Sequence, residues 1–257
     1  MQFSLQKSWL ALVISVLTTS VFAQVQNEDS SQGKISGNFG AVTKYIYRGG
    51  VENDDITFQA GLKYEHKSGV YLNYWGSTLD YDSTDINKDH GFEHDFGIGY
   101  TKEINEALTY RTQVTAFVYH NGGSSYNDNR SERRRSTGTE WLNTLNYRNL
   151  SLNFGIALSD ANYGNAGDMY LGAGYSHPLF YDILLNTSIV ASIYNDHRDN
   201  SLVQTEKNFL FNETRVGLSM PLVDSGVVIG LDYIWGIKDR LNQDLDEHLV
   251  FAVNYSF

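Results

Sequence analysis

The sequence predicts an all-β protein, folded as a single antiparallel barrel of about 12 strands that crosses a membrane. Three observations lead to this fold class. Apolar and polar residues alternate along one segment after another. The connections between these segments alternate between short and long. The last segment keeps the alternation up to a terminal aromatic residue, Phe257.

The alternation begins near the start of the chain, where Ile35, Gly37 and Phe39 lie between polar residues. A strand places odd and even residues on opposite faces, whereas a helix cannot separate such a pattern. The same period of two predicts strands over residues 34–48, 55–67, 69–79, 91–102, 107–120, 139–148, 150–160, 168–177, 181–194, 207–220, 226–236 and 247–257.

The connections favour a membrane barrel over a soluble sandwich. Short turns fall near residues 67–69, 103–106, 149, 178–180 and 221–225. Longer polar loops fall between them, at 49–54, 80–90, 121–138, 161–167, 195–206 and 237–246. Outer-membrane barrels have short periplasmic turns and longer extracellular loops. A sandwich has no reason to keep this strict order.

The N-terminus predicts export. Lys7 supplies a positive charge before a short apolar stretch, and cleavage is expected after Ala23. We therefore divide the chain into a signal peptide (1–23), a short periplasmic segment (24–33) and an outer-membrane barrel (34–257). The expected location is the outer membrane of a Gram-negative bacterium.

Composition narrows the classes of function. The absence of Cys excludes disulfide scaffolds and thiolate metal sites, and a net charge of -11 counts against nucleic acid as a partner. His120 with Ser124 or Ser125 leaves a barrel-embedded lipid hydrolase open as a weaker alternative. We expect no enzyme activity, no cofactor and no metal site.

Three short motifs carry a family resemblance. They are Tyr-Ile-Tyr-Arg-Gly-Gly at 45–50, Gly-Val-Tyr at 69–71 and Trp-Gly-Ser at 75–77. This block resembles the N-terminal block of the TorF-family putative porins, although Ile56 and Thr57 stand where that family often has a proline. The resemblance implies an outer-membrane pore and leaves its substrate undefined.

The polar face of each predicted strand is expected to face the lumen, because lipid tolerates little charge on the other face. The charged residues on the polar faces are therefore the candidates that line the lumen. These candidates are Lys44, Arg48, Lys63, Glu65, Glu93, Asp95, Arg111, Glu213 and Arg215. We expect Arg111 to face Glu93 or Asp95 on the preceding strand.

Two functions fit a lumen of mixed charge. Separated acidic and basic rows would orient small polar or charged solutes that diffuse through a narrow channel. Alternatively, the charges pair and fill the lumen, and the barrel is then a plugged structural or surface-interaction protein. Twelve strands leave both open, because eight-stranded barrels are filled by side chains and porins of 16 strands hold water.

The longest loop and the final strand each suggest a binding partner. Arg130, Arg133, Arg134 and Arg135 cluster in the longest loop, where they would contact anionic solutes or lipopolysaccharide phosphates unless they are only solvated. The final strand, ending at Phe257, resembles the segment that the barrel assembly machinery reads in outer-membrane proteins.

Overall fold

A computed structural model describes residues 32–82, 84–85, 87–128, 130–195 and 201–257. The predicted signal peptide and all but the end of the predicted periplasmic segment lie outside these residues. Within the described residues, no helix is long and apolar enough to cross a membrane.

Twelve strands form a closed antiparallel barrel, which confirms the predicted fold class. The wall strands are β1 (Gly33–Val42), β4 (Thr57–His66), β5 (Val70–Leu79), β6 (Gly91–Asn105), β7 (Leu108–Tyr119), β10 (Thr137–Tyr147), β11 (Leu150–Ala157), β12 (Met169–Pro178), β13 (Leu184–Ile193), β14 (Phe209–Pro221), β15 (Val227–Gly236) and β16 (Glu247–Ser256). Two hairpins lie outside the wall: β2 (Tyr45–Tyr47) with β3 (Gly50–Asn53), and β8 (Ser124–Tyr126) with β9 (Arg133–Arg135).

The first and last wall strands close the barrel. Phe39 of β1 lies opposite Ala60 on one side and Tyr255 of β16 on the other. Closure leaves no sheet edge, so the strand backbones of the wall are hydrogen-bonded within the barrel.

The two faces of the wall differ sharply in chemistry. Large apolar side chains are exposed on the outside, among them Phe39, Phe58, Leu62, Leu72, Phe96, Ile98, Leu152, Leu171, Leu218, Leu231 and Phe251. The inward positions are polar and buried, among them Ser36, Lys63, Ser77, Thr115, Glu140, Ser151, Asn153, Ser176, Asn186, Glu213 and Asp232. This arrangement is the reverse of a soluble barrel and is typical of a barrel in lipid.

The structure corrects the first predicted strand, 34–48. The wall strand ends at Val42, and the chain then enters the short β2–β3 hairpin. A hairpin strand also alternates between two faces, so the period of two continues across the break. Periodicity alone therefore could not show that Tyr45 had changed its pairing partner from the wall to β3.

Candidate functional site: an inward hairpin and the cavity above it

The β2–β3 hairpin turns at Arg48 and Gly49. Both residues have positive φ, 50° and 83°, as a two-residue type I′ turn requires. The hairpin leaves the wall after β1 and rejoins it at β4, so its tip is free to extend into the lumen.

Consecutive residues of β2 pack against different parts of the wall. The ring of Tyr45 lies edge-on to that of Trp75 on β5, with centroids 5.7 Å apart. Ile46 instead packs in a cluster with Ile234 of β15 and Val250 of β16. Since β5 and β15 lie on opposite sides of β1 in the barrel order, the hairpin contacts the wall on both sides of β1.

Arg48 extends the hairpin nearly across the barrel. Its guanidinium donates two hydrogen bonds to Glu140 of β10, at 3.1 and 2.7 Å, and lies 3.2 Å from the ring centroid of Tyr170 on β12. In the barrel order, β10 is five strands from β1 in one direction and seven in the other. The pair is buried, so both charges are removed from bulk water.

Gly49 fixes the tip against a third part of the wall. Its amide donates a 2.7 Å hydrogen bond to the buried carboxylate of Glu213 on β14. A Cβ at this position would lie 2.6 Å from the backbone oxygen of Asn212. The close approach and the positive φ together require glycine here.

Most of the predicted lumen residues lie inside the barrel. Lys63 pairs with Glu65, and Arg215 lies 3.1 Å from Glu213 and 3.8 Å from Asp232.

The acidic residues Glu93 and Asp95 of β6 are both buried. Lys44 is not on a wall strand; it lies just before β2, where it pairs with the exposed Asp54.

The expected contact of Arg111 with Glu93 or Asp95 is wrong. Arg111 lies opposite Thr101, whereas the two acidic residues lie opposite Tyr119 and Phe117. Antiparallel partners are equally distant from their shared turn, and Arg111 is close to the turn between β6 and β7. Its guanidinium lies instead 5.9 Å from the ring centroid of Tyr71.

Two acidic residues of the lumen were missing from the sequence-based candidates. Glu140 holds the hairpin tip, and Asp232 lies beside Arg215. A signal for Glu140 exists, since it is the only acidic residue on the lumen face of the predicted strand 139–148. Its partner on the hairpin could not be found from strand periodicity, because the two residues are 92 positions apart.

A cavity of about 390 Å³ lies at the long-loop end of the barrel, bounded by the hairpin and the outer loops. Tyrosines dominate its lining: Tyr47, Tyr81, Tyr119, Tyr163, Tyr170 and Tyr194. Its polar lining includes Arg48, Glu52, Asn162, Asn212, Asp239 and Arg240. We call this space the outer cavity.

The outer loops around the cavity are tied together by Arg134. Its guanidinium donates to the carbonyls of Ala161 and Gly164, to Asn165 Oδ1 at 2.6 Å and to Ser201 Oγ at 2.7 Å. Arg134 is therefore buried and unavailable to an external anion, which corrects its predicted role. The other members of the predicted cluster, Arg130, Arg133 and Arg135, are exposed.

Glu132 completes this loop anchor. Its carboxylate pairs with Arg134 at 2.7 Å and accepts the amide of Leu202 at 2.6 Å. Burial alone would raise the pKa of Glu132, but the Leu202 amide and the Arg134 charge together lower it below its ordinary value.

A second anchor joins the remaining loops. The buried carboxylate of Asp168 accepts the amides of Asn165 and Asn195, at 2.8 and 2.7 Å. It also accepts a 3.0 Å hydrogen bond from Arg240, whose other donors contact Thr205. The loops that surround the outer cavity are thus held in fixed positions relative to one another by these polar contacts.

The residues of the hydrolase alternative, His120, Ser124 and Ser125, each contact residues outside this set. The His120 ring lies against Tyr81 and 3.8 Å from Asp82, and burial lowers the pKa of His120. Ser125 accepts a 2.9 Å hydrogen bond from Asn162, and Ser124 pairs with Arg135 in the β8–β9 hairpin.

A closed antiparallel barrel with an apolar exterior and a polar, charged interior defines the class of transmembrane β-barrel proteins. Within that class, the chain belongs to the family described as "Bacterial protein of unknown function (Gcw_chp)", whose profile matches residues 26–255. No curated protein matches the sequence significantly.

Solved outer-membrane proteins show distant similarity. Pseudomonas aeruginosa OpdL is 17% identical with a TM-score of 0.43, over 79% of this chain and 59% of that one. The NanC porin is 9% identical with a TM-score of 0.44, over 86% and 98%. Escherichia coli outer membrane phospholipase A is 10% identical with a TM-score of 0.40, over 88% and 91%. Similarity this low carries no argument about function, and the fold rests on the strand pairing above.

Proposed function

We propose that the protein is an outer-membrane channel for the passive diffusion of small polar solutes, narrowed by the β2–β3 hairpin. The observation that carries the proposal is the buried Arg48–Glu140 pair, which places a charged hairpin tip across a polar lumen. An apolar exterior supports a position in lipid, since exposed Leu62 and Phe96 would otherwise face water.

The charges beside the hairpin would give the constriction a transverse field. Arg48 and Arg215 face the acidic residues Glu140, Glu213 and Asp232 within the barrel. Rings and rows of charged side chains determine which solutes pass through a pore. Such a field favours small dipolar or charged solutes over apolar ones.

A second candidate is the plugged barrel with a structural or surface-interaction role. Two observations favour it. Charged residues of the lumen are paired, as Arg48 with Glu140 shows. Inward-facing side chains such as Ser77, Ser151 and Ser219 are at most 2% exposed. In that case the interior is filled, and any function belongs to the outer loops.

Single-channel recording in a planar bilayer with a salt gradient separates the two functions. The channel proposal expects discrete current steps and a reversal potential that gives the charge preference. Folding is checked first, by the shift in electrophoretic migration on heating that intact barrels show. A folded protein that remains electrically silent would contradict the channel and support the plugged barrel.

The same proposal includes location and partners. The expected signal peptide and the final strand before Phe257 support export and assembly in a Gram-negative outer membrane. Exposed Arg130, Arg133 and Arg135 support contact with lipopolysaccharide phosphates. The resemblance to the TorF-family putative porins supports the pore function.

A further inference from the structure

We infer that the outer cavity is a binding site for a neutral saccharide of one or two sugar rings. The inference rests on the proposed channel, whose entrance this cavity would form, and it names the class of solute. Three properties of the cavity support it: its aromatic lining, the fixed positions of its rings and its internal charge balance.

The aromatic lining suits a sugar. Six tyrosines line the same space, and a tyrosine side chain combines an apolar ring with a polar hydroxyl. A sugar ring has the matching character, with faces of C–H groups and a rim of hydroxyls. The volume of about 390 Å³ lies within the range of about 300–1,000 Å³ that small-molecule pockets occupy.

Several of these rings are held in place by neighbours. The Arg48 guanidinium lies over Tyr170, and the Arg240 guanidinium lies 4.7 Å from the ring centroid of Tyr194. Tyr119 and Tyr163 pack edge to face with centroids 5.1 Å apart. Rings that are already fixed lose little conformational entropy when a ligand binds.

The charges of the lining favour a neutral ligand over an ion. Arg48 pairs with Glu140, and Arg240 pairs with Asp168.

The acidic groups are also engaged. Glu52 accepts the hydroxyl proton of Tyr81, and Asp239 accepts the amides of Leu241 and Gln243. An added ion would therefore compete with an existing partner, whereas sugar hydroxyls can donate to the carboxylates and accept from the guanidinium groups.

The test measures binding to the folded protein in detergent micelles by isothermal titration calorimetry. Maltose and glucose are the neutral probes, and glucose 6-phosphate is the anionic probe. We expect maltose to bind, and the substitutions Tyr47→Leu and Tyr194→Leu each to weaken it about tenfold, as the loss of one well-placed aromatic contact implies.

Two matched variants control for folding and for the ring itself. Tyr194→Phe keeps the ring and is expected to keep most of the affinity. Tyr100→Leu removes an exposed tyrosine on the outside of the wall and should leave binding unchanged. All variants must show the heat-dependent migration of a folded barrel before they are compared.

Failure of this inference is distinct from failure of the channel proposal, because binding is measured without a membrane. Conductance without binding of either neutral sugar would overturn the saccharide site alone. Tighter binding of glucose 6-phosphate than of glucose would overturn it in favour of an anion site. Maltose binding by a protein that is silent in bilayers would uphold the site and overturn the channel.

Discussion

Arg48 is the residue on which the geometry of the lumen depends most. Its φ of 50° lies in the left-handed region, which costs a non-glycine residue about 1–2 kcal/mol. Asn or Gly would fit this turn with less strain. The bidentate contact with Glu140 and the ring of Tyr170 offset the cost, so the strained backbone aims the side chain at the far wall.

A substitution at Gly49 tests how closely the tip is seated. Gly49→Ala would force a Cβ against the Asn212 oxygen, so we expect the Glu213 hydrogen bond to break. The expected loss of stability is about 1–2 kcal/mol from the positive φ alone. Urea unfolding of the refolded barrel measures it.

Gly50→Ala is the matched control, because the nearest atom to its added Cβ is 3.5 Å away. We expect a much smaller shift in the unfolding midpoint for this variant. Equal shifts for the two variants would contradict the seating of Gly49 against β14.

At the scale of elements, wall strands were predictable and the inward hairpin was not. Alternation alone located β6 and β12 to within a few residues, because each alternates between lipid and lumen. Strand β2 was merged into the first predicted strand, 34–48, since it alternates as well, and β3 fell within the predicted loop 49–54. Its partners on β10 and β14 lie far along the chain, and no local pattern specifies such contacts.

The Glu132–Arg134 anchor of the outer loops makes a prediction about pH. A carboxyl whose pKa is lowered in the folded state stabilises that state above its unfolded pKa, and this contribution is lost as pH falls through the folded value. We expect the Glu132 carboxyl carbon to titrate with a midpoint below 4.5 in an NMR experiment.

Glu132→Gln serves both to assign the resonance and as a control. This variant should lose the pH dependence of the Leu202 amide shift, because that amide donates to the carboxylate. A Glu132 midpoint at or above 4.5 would show that the anchor does not form in solution.

At the scale of the whole molecule, the apolar exterior predicts where a charge is tolerated. Leu62 lies near the middle of β4 and is 50% exposed, whereas Leu222 lies in a short turn and is 41% exposed. We expect Leu62→Arg to destabilise the barrel by about 2–4 kcal/mol and Leu222→Arg by about 0–1 kcal/mol, as measured in lipid vesicles. Equal costs at these similarly exposed sites would contradict the lipid-facing assignment.

The sequence was sufficient for the architecture but not for the interior. The alternation of apolar and polar residues placed Lys63, Glu93 and Glu213 on the lumen face, because the lipid side of a strand is apolar and the lumen side is polar. It could not order the contacts across the lumen, as the positions of Arg111 and Glu140 show. Those contacts depend on barrel stagger and on the path of the hairpin, which are properties of the closed molecule.

The central claim is that the β2–β3 hairpin narrows the lumen, and single-channel conductance tests it most directly. The comparison is between the intact protein and a variant in which residues 44–54 are replaced by a short Gly-Ser linker joining β1 to β4. We expect both to form folded barrels, and we expect the variant to show current steps several times larger than those of the intact protein. Steps of equal size from the two folded proteins would contradict the claim.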